Sequence, residues 1–295
     1  ILELIARGEE LAAIMTTLCE RVEALASGVV CSVVAVDDDF SLRPLAAPSL
    51  PPSYGEALAG TPIGPRLGSC GTAIYRKSPV EVTDIATDPL WDGYRELVLP
   101  LGLHACWSSP IAARDGRVVG SFAFYYREPR GPVPFERRIV ETCVHLCAIA
   151  IEHAEVNARN HRLAYFDTLT GLPNRARFNE AIGQATRRTS SRFGLILIDI
   201  DHFKAVNDTM GHPVGDRLIE AVGARLATVA PQGTAFRIGG DEFAVLVPGC
   251  DKAGQLRGVA GAILAAMHLP IDCEGTSIVP SVTIGGAIAG EDGAD

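Results

Sequence analysis

The sequence predicts a two-domain protein of mixed helix and sheet, in a class between α+β and α/β. Three strand-like segments, 29–36, 104–112 and 118–126, follow one another in the N-terminal half. In the C-terminal half, a short apolar strand at 195–198 precedes a hairpin pattern. A helical pattern over 135–165 joins the two halves, and 295 residues suffice for two domains.

Composition excludes several classes of protein. The chain is 47% hydrophobic and 21% charged, which is typical of globular domains rather than disorder. Its net charge of -9 argues against broad binding of nucleic acid or of anionic membranes. Eight scattered cysteines indicate reduced thiols, and no apolar run has membrane length or signal-peptide form. These features predict a cytoplasmic protein with neither a nucleic-acid polymer nor a membrane as partner.

The N-terminal half opens with an amphipathic helix and continues into a sheet. Asp115 and Gly116 predict a hairpin turn between its last two strands, and the turn-rich span 46–71 predicts loops over one sheet face. The helix has an apolar seam whose residues are spaced alternately four and three apart. They are Leu11, Met15, Leu18, Val22 and Leu25.

The connecting helix carries a weaker seam with the same spacing, which predicts a coiled-coil connector able to hold two registers of similar energy. Its residues are Val140, Val144, Cys147, Ile151, Ala154 and Ala158. Cys143 and Cys147, with His145 and His153 nearby, could be misread as a zinc site, although no cysteine pair has metal-ligand spacing. Their apolar neighbours favour helix packing instead.

The C-terminal half places carboxylates at two positions. The strand at 195–198 ends at Asp199, and the hairpin over 235–247 turns at Gly239, Gly240, Asp241 and Glu242. The two glycines can take a positive φ and let a large ligand approach the backbone.

Together these carboxylates suit a metal-bound polyphosphate. Magnesium prefers hard oxygen ligands, so Asp199 and Asp241 could hold it between them while Lys204 meets phosphate oxygens. Alternatively, Asp199 caps the next helix, and Asp241 and Glu242 belong to a solvated turn. Either cluster alone favours the alternative.

A third motif, Asp-Thr-Leu-Thr-Gly-Leu-Pro-Asn-Arg at 167–175, precedes the two clusters. In this order the three resemble the GGDEF-domain diguanylate cyclases over residues 163–295. The resemblance implies a palm-like fold with a mixed sheet flanked by helices. It also implies an enzyme that condenses two molecules of GTP into cyclic di-GMP and two pyrophosphates.

The resemblance also implies residue roles. Asp199, the carbonyl of Ile200 and Asp241 would bind Mg²⁺ or Mn²⁺, and Asp241 with Glu242 would be catalytic. The remaining roles concern the nucleotide. The triphosphate would be held around His202, Phe203, Lys204, Gly239 and Gly240, and guanine would be read by Asn207 and Asp216.

Without the resemblance, Asn207 is a turn residue and Asp216 a first-turn acid stabilised by the helix dipole.

The chain departs from the family pattern in two places. Ala230 and Gly233 stand where many members carry an Arg-x-x-Asp product-inhibition site, which predicts weak or no feedback inhibition. After a predicted strand at 281–289 only six residues follow, whereas family members continue into a helix with a lysine and an arginine. We therefore expect a piece of a longer chain, in which an EAL phosphodiesterase domain could follow.

The N-terminal half is similar to GAF sensory domains over 11–155, through its order of elements and its segments 68–73 and 106–110. The expected organisation is a GAF-like domain at 1–155, a helical linker at 156–166 and a GGDEF domain at 167–295. The N-terminal domain leaves open an unknown small ligand or a redox signal. Such a site would use Cys70, His104, Cys106 and Trp107, but ordinary core packing is favoured for these residues.

Two functions stay open at this stage. The first is a diguanylate cyclase regulated by the GAF domain, and the second is a non-catalytic GTP-binding regulatory module. Because one site holds one GTP, the first requires a homodimer, expected through the N-terminal and linker helices.

Overall fold

The computed structural model describes residues 1–187, 192–230, 234–273 and 275–289. The chain divides into two compact units, Ile1–Ala158 and Arg159–Asp295. This division falls inside the predicted linker 156–166, although a separate linker element stays a prediction. No helix in the described ranges is long and apolar enough to cross a membrane.

The N-terminal unit is built on a five-stranded antiparallel sheet. Its strands are β1 (Val29–Val36), β2 (Leu42–Ala46), β3 (Val80–Val82), β4 (Ala105–Ala112) and β5 (Val118–Tyr126), in the order β2-β1-β5-β4-β3. The predicted strands at 29–36 and 118–126 are confirmed, and the third begins one residue later than predicted. Gly116 takes a φ of 83° in the β4–β5 turn, as the Asp-Gly pair predicts.

Helices cover both faces of this sheet. They are α1 (Leu2–Ala6), α2 (Leu11–Leu25), α3 (Pro52–Leu58), α4 (Gly68–Arg76), α5 (Arg95–Val98) and the long α6 (Pro134–Tyr165). One core joins α2 and α6 to a sheet face that includes Cys31 and Phe124. The other core joins α4 and the loops to the opposite face, which includes Val34 and Tyr125. The span 46–71 is therefore partly helical, not only loops.

Helix α2 largely confirms its predicted seam. Met15, Leu18 and Val22 are buried in the core, but Leu25 is 68% exposed at the last turn. The seam therefore ends one turn before the helix does.

Helix α6 uses its predicted seam inside the N-terminal unit. Val140, Cys147 and Ile151 are buried against α2 and the sheet. The expectation of a free coiled-coil seam on these residues is therefore corrected, because the core of their own unit already covers that face.

The C-terminal unit contains a four-stranded sheet in the order β11-β6-β8-β7. Its strands are β6 (Phe193–Ile200), β7 (Thr234–Arg237), β8 (Glu242–Pro248) and β11 (Val282–Ile288), and β9 (Ile271–Cys273) with β10 (Thr276–Ile278) forms a separate hairpin. The sequence predicted a mixed sheet, and the described strands pair antiparallel throughout. The predicted helix-and-sheet class is confirmed.

Within the described residues of this unit, the sheet is flanked by α7 (Arg175–Arg187), α8 (Phe203–Met210), α9 (His212–Val229) and α10 (Ala253–Met267). Alternate β6 residues Ile196, Ile198 and Ile200 face the core under the last three helices. Helix α7 covers part of the other face, where Phe178 packs edge-on to Phe236. The portion of that face around β6 stays open, with Leu197 46% exposed.

We expect Gly120→Ala to destabilise the N-terminal unit by about 1–3 kcal/mol, because a Cβ at Gly120 would lie 2.3 Å from the carbonyl oxygen of Val34. Urea unfolding followed by tryptophan fluorescence measures this, since both tryptophans, Trp91 and Trp107, lie in this unit. The matched control is Gly55→Ala in α3, whose Cβ would have only an ordinary 3.8 Å contact. An equal loss in both variants would contradict the steric argument.

Candidate functional site

The turn between β7 and β8 brings the signature residues together. Arg237 pairs with Phe243 across the hairpin, and the amides of Ile238 and Gly239 donate to the carbonyl of Glu242. The predicted hairpin is confirmed, with one difference in its bounds. Glu242 is the first residue of β8 and not part of the turn.

The two glycines of this turn serve close approach rather than an unusual backbone angle. Neither Gly239 nor Gly240 takes a positive φ, which corrects the expectation from sequence. A Cβ on Gly239 would lie 2.4 Å from a carboxylate oxygen of Glu242, whereas one on Gly240 would meet nothing within 4 Å. Gly239 therefore leaves room for the Glu242 side chain, and Gly240 lies at an open surface of the turn.

Asp199 lies beside these residues on the neighbouring strand. It is the seventh residue of β6, whose last residue is Ile200, and it pairs directly with Glu242. Directly opposed residues of an antiparallel pair point to the same sheet face. The amide of Ile200 donates to the carbonyl of Asp241 at 3.3 Å, which fixes Asp241 next to the same point.

The carboxylates influence one another. Loss of solvent raises the pKa of Asp199 above its ordinary 3.8, and the negative charges of Asp241, Glu242 and Asp201 raise it further. Such mutual repulsion is relieved by a bound cation.

This donor set fits a divalent metal shared with a ligand. Among the described residues no group of three or more His, Cys, Asp or Glu side chains converges to hold a metal. Magnesium is usually bound by one or two carboxylates plus substrate phosphates, so a partial set is what this ion requires. Asp199, Asp241 and the carbonyl of Ile200 are the residues that would hold it.

Asp201 has a structural role that the sequence did not reveal. Its carboxylate accepts hydrogen bonds from the hydroxyls of Ser281, at 2.5 Å, and Thr283, at 2.7 Å, and these bonds hold its pKa below 3.8. They join the end of β6 to the edge strand β11. No local pattern predicts partners 80 and 82 residues away.

Helix α8 begins immediately after this point. His202 precedes it in the left-handed region with a φ of 59°, and Phe203 is its first residue. The first amides of a helix have no intrahelical acceptor, so those of Phe203 and Lys204 are available to an anion. His202 and Lys204 are exposed, which is compatible with the predicted phosphate contacts.

Asn207 and Asp216 lie on adjoining helices, α8 and α9. The side-chain oxygen of Asn207 is buried and has no hydrogen-bond partner. A Cβ on Gly215, the neighbour of Asp216 in the chain, would lie 2.0 Å from that oxygen. An unpaired buried amide oxygen is uncommon in proteins, and here it lies next to the exposed Asp216.

A charged pair holds the glycine turn from behind. The guanidinium of Arg237 donates to the carbonyl of Gly240 at 2.8 and 3.2 Å and to the carboxylate of Asp167 at 2.8 Å. Both side chains are less than a quarter exposed. The sequence motifs contain both Asp167 and Arg237, but they do not indicate that the two residues pair, because 70 residues separate them.

Asp167 is held ionised by its partners. Partial burial acts to raise its pKa, but hydrogen bonds from Arg237 and Thr170 outweigh burial and bring the pKa below 3.8. The pair is therefore charged at neutral pH and fixes the turn that contains Asp241.

The replaced inhibition site is only partly described. Ala230 is buried at the C-terminal end of α9, where it offers no charged group. Gly233 lies outside the described residues. Weak or absent feedback inhibition stays a prediction.

The N-terminal ligand candidates do not share one site. Cys70 and Cys106 lie in the core under α4, whereas Trp107 lies in the opposite core against α2 and α6. The cavity beside Cys70 measures only about 20 Å³, which is room for a single water molecule. The preference for core packing over a joint pocket agrees with this placement.

Cys143 and Cys147 are also core residues. Both are buried against α2, and burial raises the pKa of Cys143 to about 12. Helix packing rather than zinc binding accounts for them.

Comparisons with known proteins match both halves of the chain. Residues 8–152 match the GAF domain family, and residues 164–295 match the family described as "Diguanylate cyclase, GGDEF domain".

Among curated proteins, the chain is 38% identical over 138 residues to the diguanylate cyclase TpbB of Pseudomonas aeruginosa, which is 45% of this chain and 32% of that protein. It is 35% identical over 156 residues to the methyl sulfide methyltransferase-associated sensor of Methanosarcina acetivorans, which is 52% of this chain and 16% of that protein. The chain thus spans no more than a third of the length of these two relatives.

A solved structure of the GGDEF domain of TpbB from Pseudomonas aeruginosa covers 43% of this chain. The match covers 77% of that structure at 34% identity and a TM-score of 0.41.

We expect Arg237→Ala to lower the stability of the C-terminal unit by about 1.5–3 kcal/mol at pH 7, because it removes hydrogen bonds from a charged group. Since the folded pKa of Asp167 is depressed, the contribution is present above pH 3.8 and is lost as pH falls through the lower, folded value. Urea unfolding followed by circular dichroism at several pH values measures the difference in the free energy of unfolding between wild type and variant.

The matched control is Arg177→Ala, which removes an exposed pair with Glu180. It should cost less than about 1 kcal/mol. If the difference in unfolding free energy between wild type and Arg237→Ala stayed constant down to pH 2, the proposed charge pairing would be refuted.

Proposed function

Since the chain joins a GAF domain to a GGDEF domain, we propose that it acts as a diguanylate cyclase that forms cyclic di-GMP and two pyrophosphates from two GTP. The observation that carries this proposal is the pairing of Asp199 with Glu242 beside Asp241, on an open sheet face above a glycine turn. No core-packing need accounts for these neighbouring carboxylates, of which Asp199 and Glu242 are exposed.

The site offers distinct groups for each part of GTP. Lys204 and the first amides of α8 are available for the triphosphate. Asn207 and Asp216 suit guanine, whose acceptor edge matches an amide donor and whose N–H groups match a carboxylate. Adenine would leave the carboxylate unpaired, which disfavours ATP.

The reaction requires little covalent work from the protein. The 3′-oxygen of one nucleotide attacks the α-phosphorus of the other, and the bond to the pyrophosphate oxygen breaks. Asp241 or Glu242 accepts the proton of the hydroxyl. A bound Mg²⁺ or Mn²⁺ ion would neutralise charge on the phosphates, and Asp199, Ile200 and Asp241 would hold it.

A non-catalytic GTP-binding module is the second candidate. It would need the guanine contacts and the phosphate amides but not every acidic side chain around the turn. The three neighbouring carboxylates therefore favour catalysis. Use of GTP, and eight scattered cysteines with no paired framework in the sequence, are consistent with a cytoplasmic location, which stays a prediction.

The proposed reaction needs two copies of the chain, because each active site supplies one GTP. A stripe along α6 is suited to this contact: Phe135, Thr142, Ile149, Val156 and Leu163 recur every seven residues. Phe135, Val156 and Leu163 are each more than half exposed, whereas Ile149 packs partly against the core of the N-terminal unit. We propose this stripe, rather than the covered seam through Cys147, as the linker-helix contact of a homodimer.

We expect the full chain to convert GTP and Mg²⁺ to cyclic di-GMP, and Asp241→Ala to lower the rate at least about 100-fold through loss of the metal and of proton transfer. Chromatographic detection of the product measures the rate. Asp208→Ala, an exposed carboxylate on α8, is the matched control and should retain the wild-type rate. GTP binding without product would establish the second candidate instead.

We expect Val156→Glu to lower the rate per molecule about tenfold in dilute protein and less in concentrated protein, because mass action restores a weakened dimer. Activity across a dilution series, beside sedimentation, measures this. Ala158→Glu places the same charge about 200° around the helix and should behave as wild type. If only Ala158→Glu weakened the dimer, the seam predicted from sequence would be the contact.

A further inference from the structure

The turn between β6 and α8 has a backbone conformation that side chains rarely adopt. His202 lies between Asp201 and the first residue of α8, with a φ of 59° and a ψ of 22°. It is one of three non-glycine residues with a positive φ in the described ranges. Such a conformation costs free energy and persists only where the surrounding structure holds it. The contacts on either side of His202 therefore determine whether the turn keeps its shape.

Helix α8 holds the turn on its C-terminal side. The carbonyl of His202 accepts hydrogen bonds from the amides of Ala205, at 2.9 Å, and Val206, at 3.3 Å. The side chains of Phe203 and Val206 pack against the core of the C-terminal unit. The first amides of a helix have no intrahelical acceptor, and the direction of those of Phe203 and Lys204 depends on the angles at His202.

Asp201 holds the turn on its N-terminal side through the edge strand. Its amide donates to the carbonyl of Ser281 at 2.9 Å. Its carboxylate accepts hydrogen bonds from the hydroxyls of Ser281, at 2.5 Å, and Thr283, at 2.7 Å. Hydrogen bonds to an ionised acceptor are stronger than neutral ones. The residue before the strained one is thus fixed through both its backbone and its side chain.

These bonds matter more to the turn than to the sheet. Strand β11 already pairs with β6 from Val282 to Ile288, and the hydroxyls of Ser281 and Thr283 belong to exposed residues. Each carboxylate oxygen of Asp201 accepts one of the two hydroxyls. The carboxylate is therefore occupied by the edge strand, which indicates a positioning role rather than contact with a ligand.

We propose that the contact of Asp201 with Ser281 and Thr283 positions the first amides of α8 for the triphosphate of GTP. It does so by holding the turn at His202. The inference rests on the proposed function, because it takes those amides to bind phosphate. Amides that contact the phosphates equally in the ground state and the transition state affect KM rather than kcat.

The test uses the full chain with the double variant Ser281→Ala/Thr283→Val, which removes both hydroxyls and changes no charge. The probe is 3′-deoxy-GTP with Mg²⁺, because it lacks the hydroxyl that reacts. Guanosine, measured by competition, lacks the phosphates. We expect the double variant to bind 3′-deoxy-GTP about tenfold more weakly and guanosine as the wild type does. With GTP, KM should rise by a similar factor while kcat stays within about twofold.

Two control variants accompany the test. Thr276→Val/Ser277→Ala makes the same chemical changes at exposed residues of β10, outside this contact, and should bind 3′-deoxy-GTP as the wild type does. Exchange of the two side chains, Ser281→Thr/Thr283→Ser, keeps both hydroxyls and should retain most of the affinity. An exchanged variant as weak as Ser281→Ala/Thr283→Val would contradict a role for the hydroxyls.

The outcomes separate this proposal from the cyclase activity. If the wild type forms cyclic di-GMP and Ser281→Ala/Thr283→Val binds 3′-deoxy-GTP with wild-type affinity, the positioning role is overturned and the proposed function stands. An equal loss of guanosine binding would also overturn it, because the damage would then not be confined to the phosphates. A wild type that binds no 3′-deoxy-GTP would overturn both proposals.

Discussion

The direct pairing of Asp199 with Glu242 is the constraint on which the C-terminal unit depends. Like charges directly opposed on neighbouring strands are unfavourable, so the sheet must hold them together by other means. It does so with hydrogen bonds from β6 to strands on both sides and with Ile196, Ile198 and Ile200 buried beneath. A segment with weaker packing would separate the carboxylates. The fold thus holds several negative charges close together, and a bound cation would reduce the repulsion between them.

Around these acidic residues, two sets of hydrogen bonds have a structural role. Arg237, paired with Asp167, holds the carbonyl of Gly240, so the turn before Asp241 is fixed. The carboxylate of Asp201 accepts hydrogen bonds from Ser281 and Thr283, which hold the edge strand β11 to the end of β6. Both devices join distant parts of the chain by charge-assisted hydrogen bonds, which are stronger than neutral ones.

Much of this could be predicted, and what could not has a common cause. Strands β1 and β5 and the hairpin before Glu242 follow from local alternation and turn chemistry, and the acidic cluster follows from motif order. Asp167 with Arg237, and Asp201 with Ser281, depend on contacts between distant segments, which no local period encodes. The α6 seam was misassigned for a related reason. A sequence shows that a face is apolar, not whether its own domain already covers it.

Helix α6 has one face that its own domain covers and another that stays exposed. One of its faces is committed to the core of the N-terminal unit through Val140, Cys147 and Ile151, and the stripe through Val156 and Leu163 is left exposed. Since both belong to one helix, a change in the packing of the first face would be transmitted to the second. Helix α2 packs on the same core, so a change at α2 would reach the exposed stripe through these two packed helices.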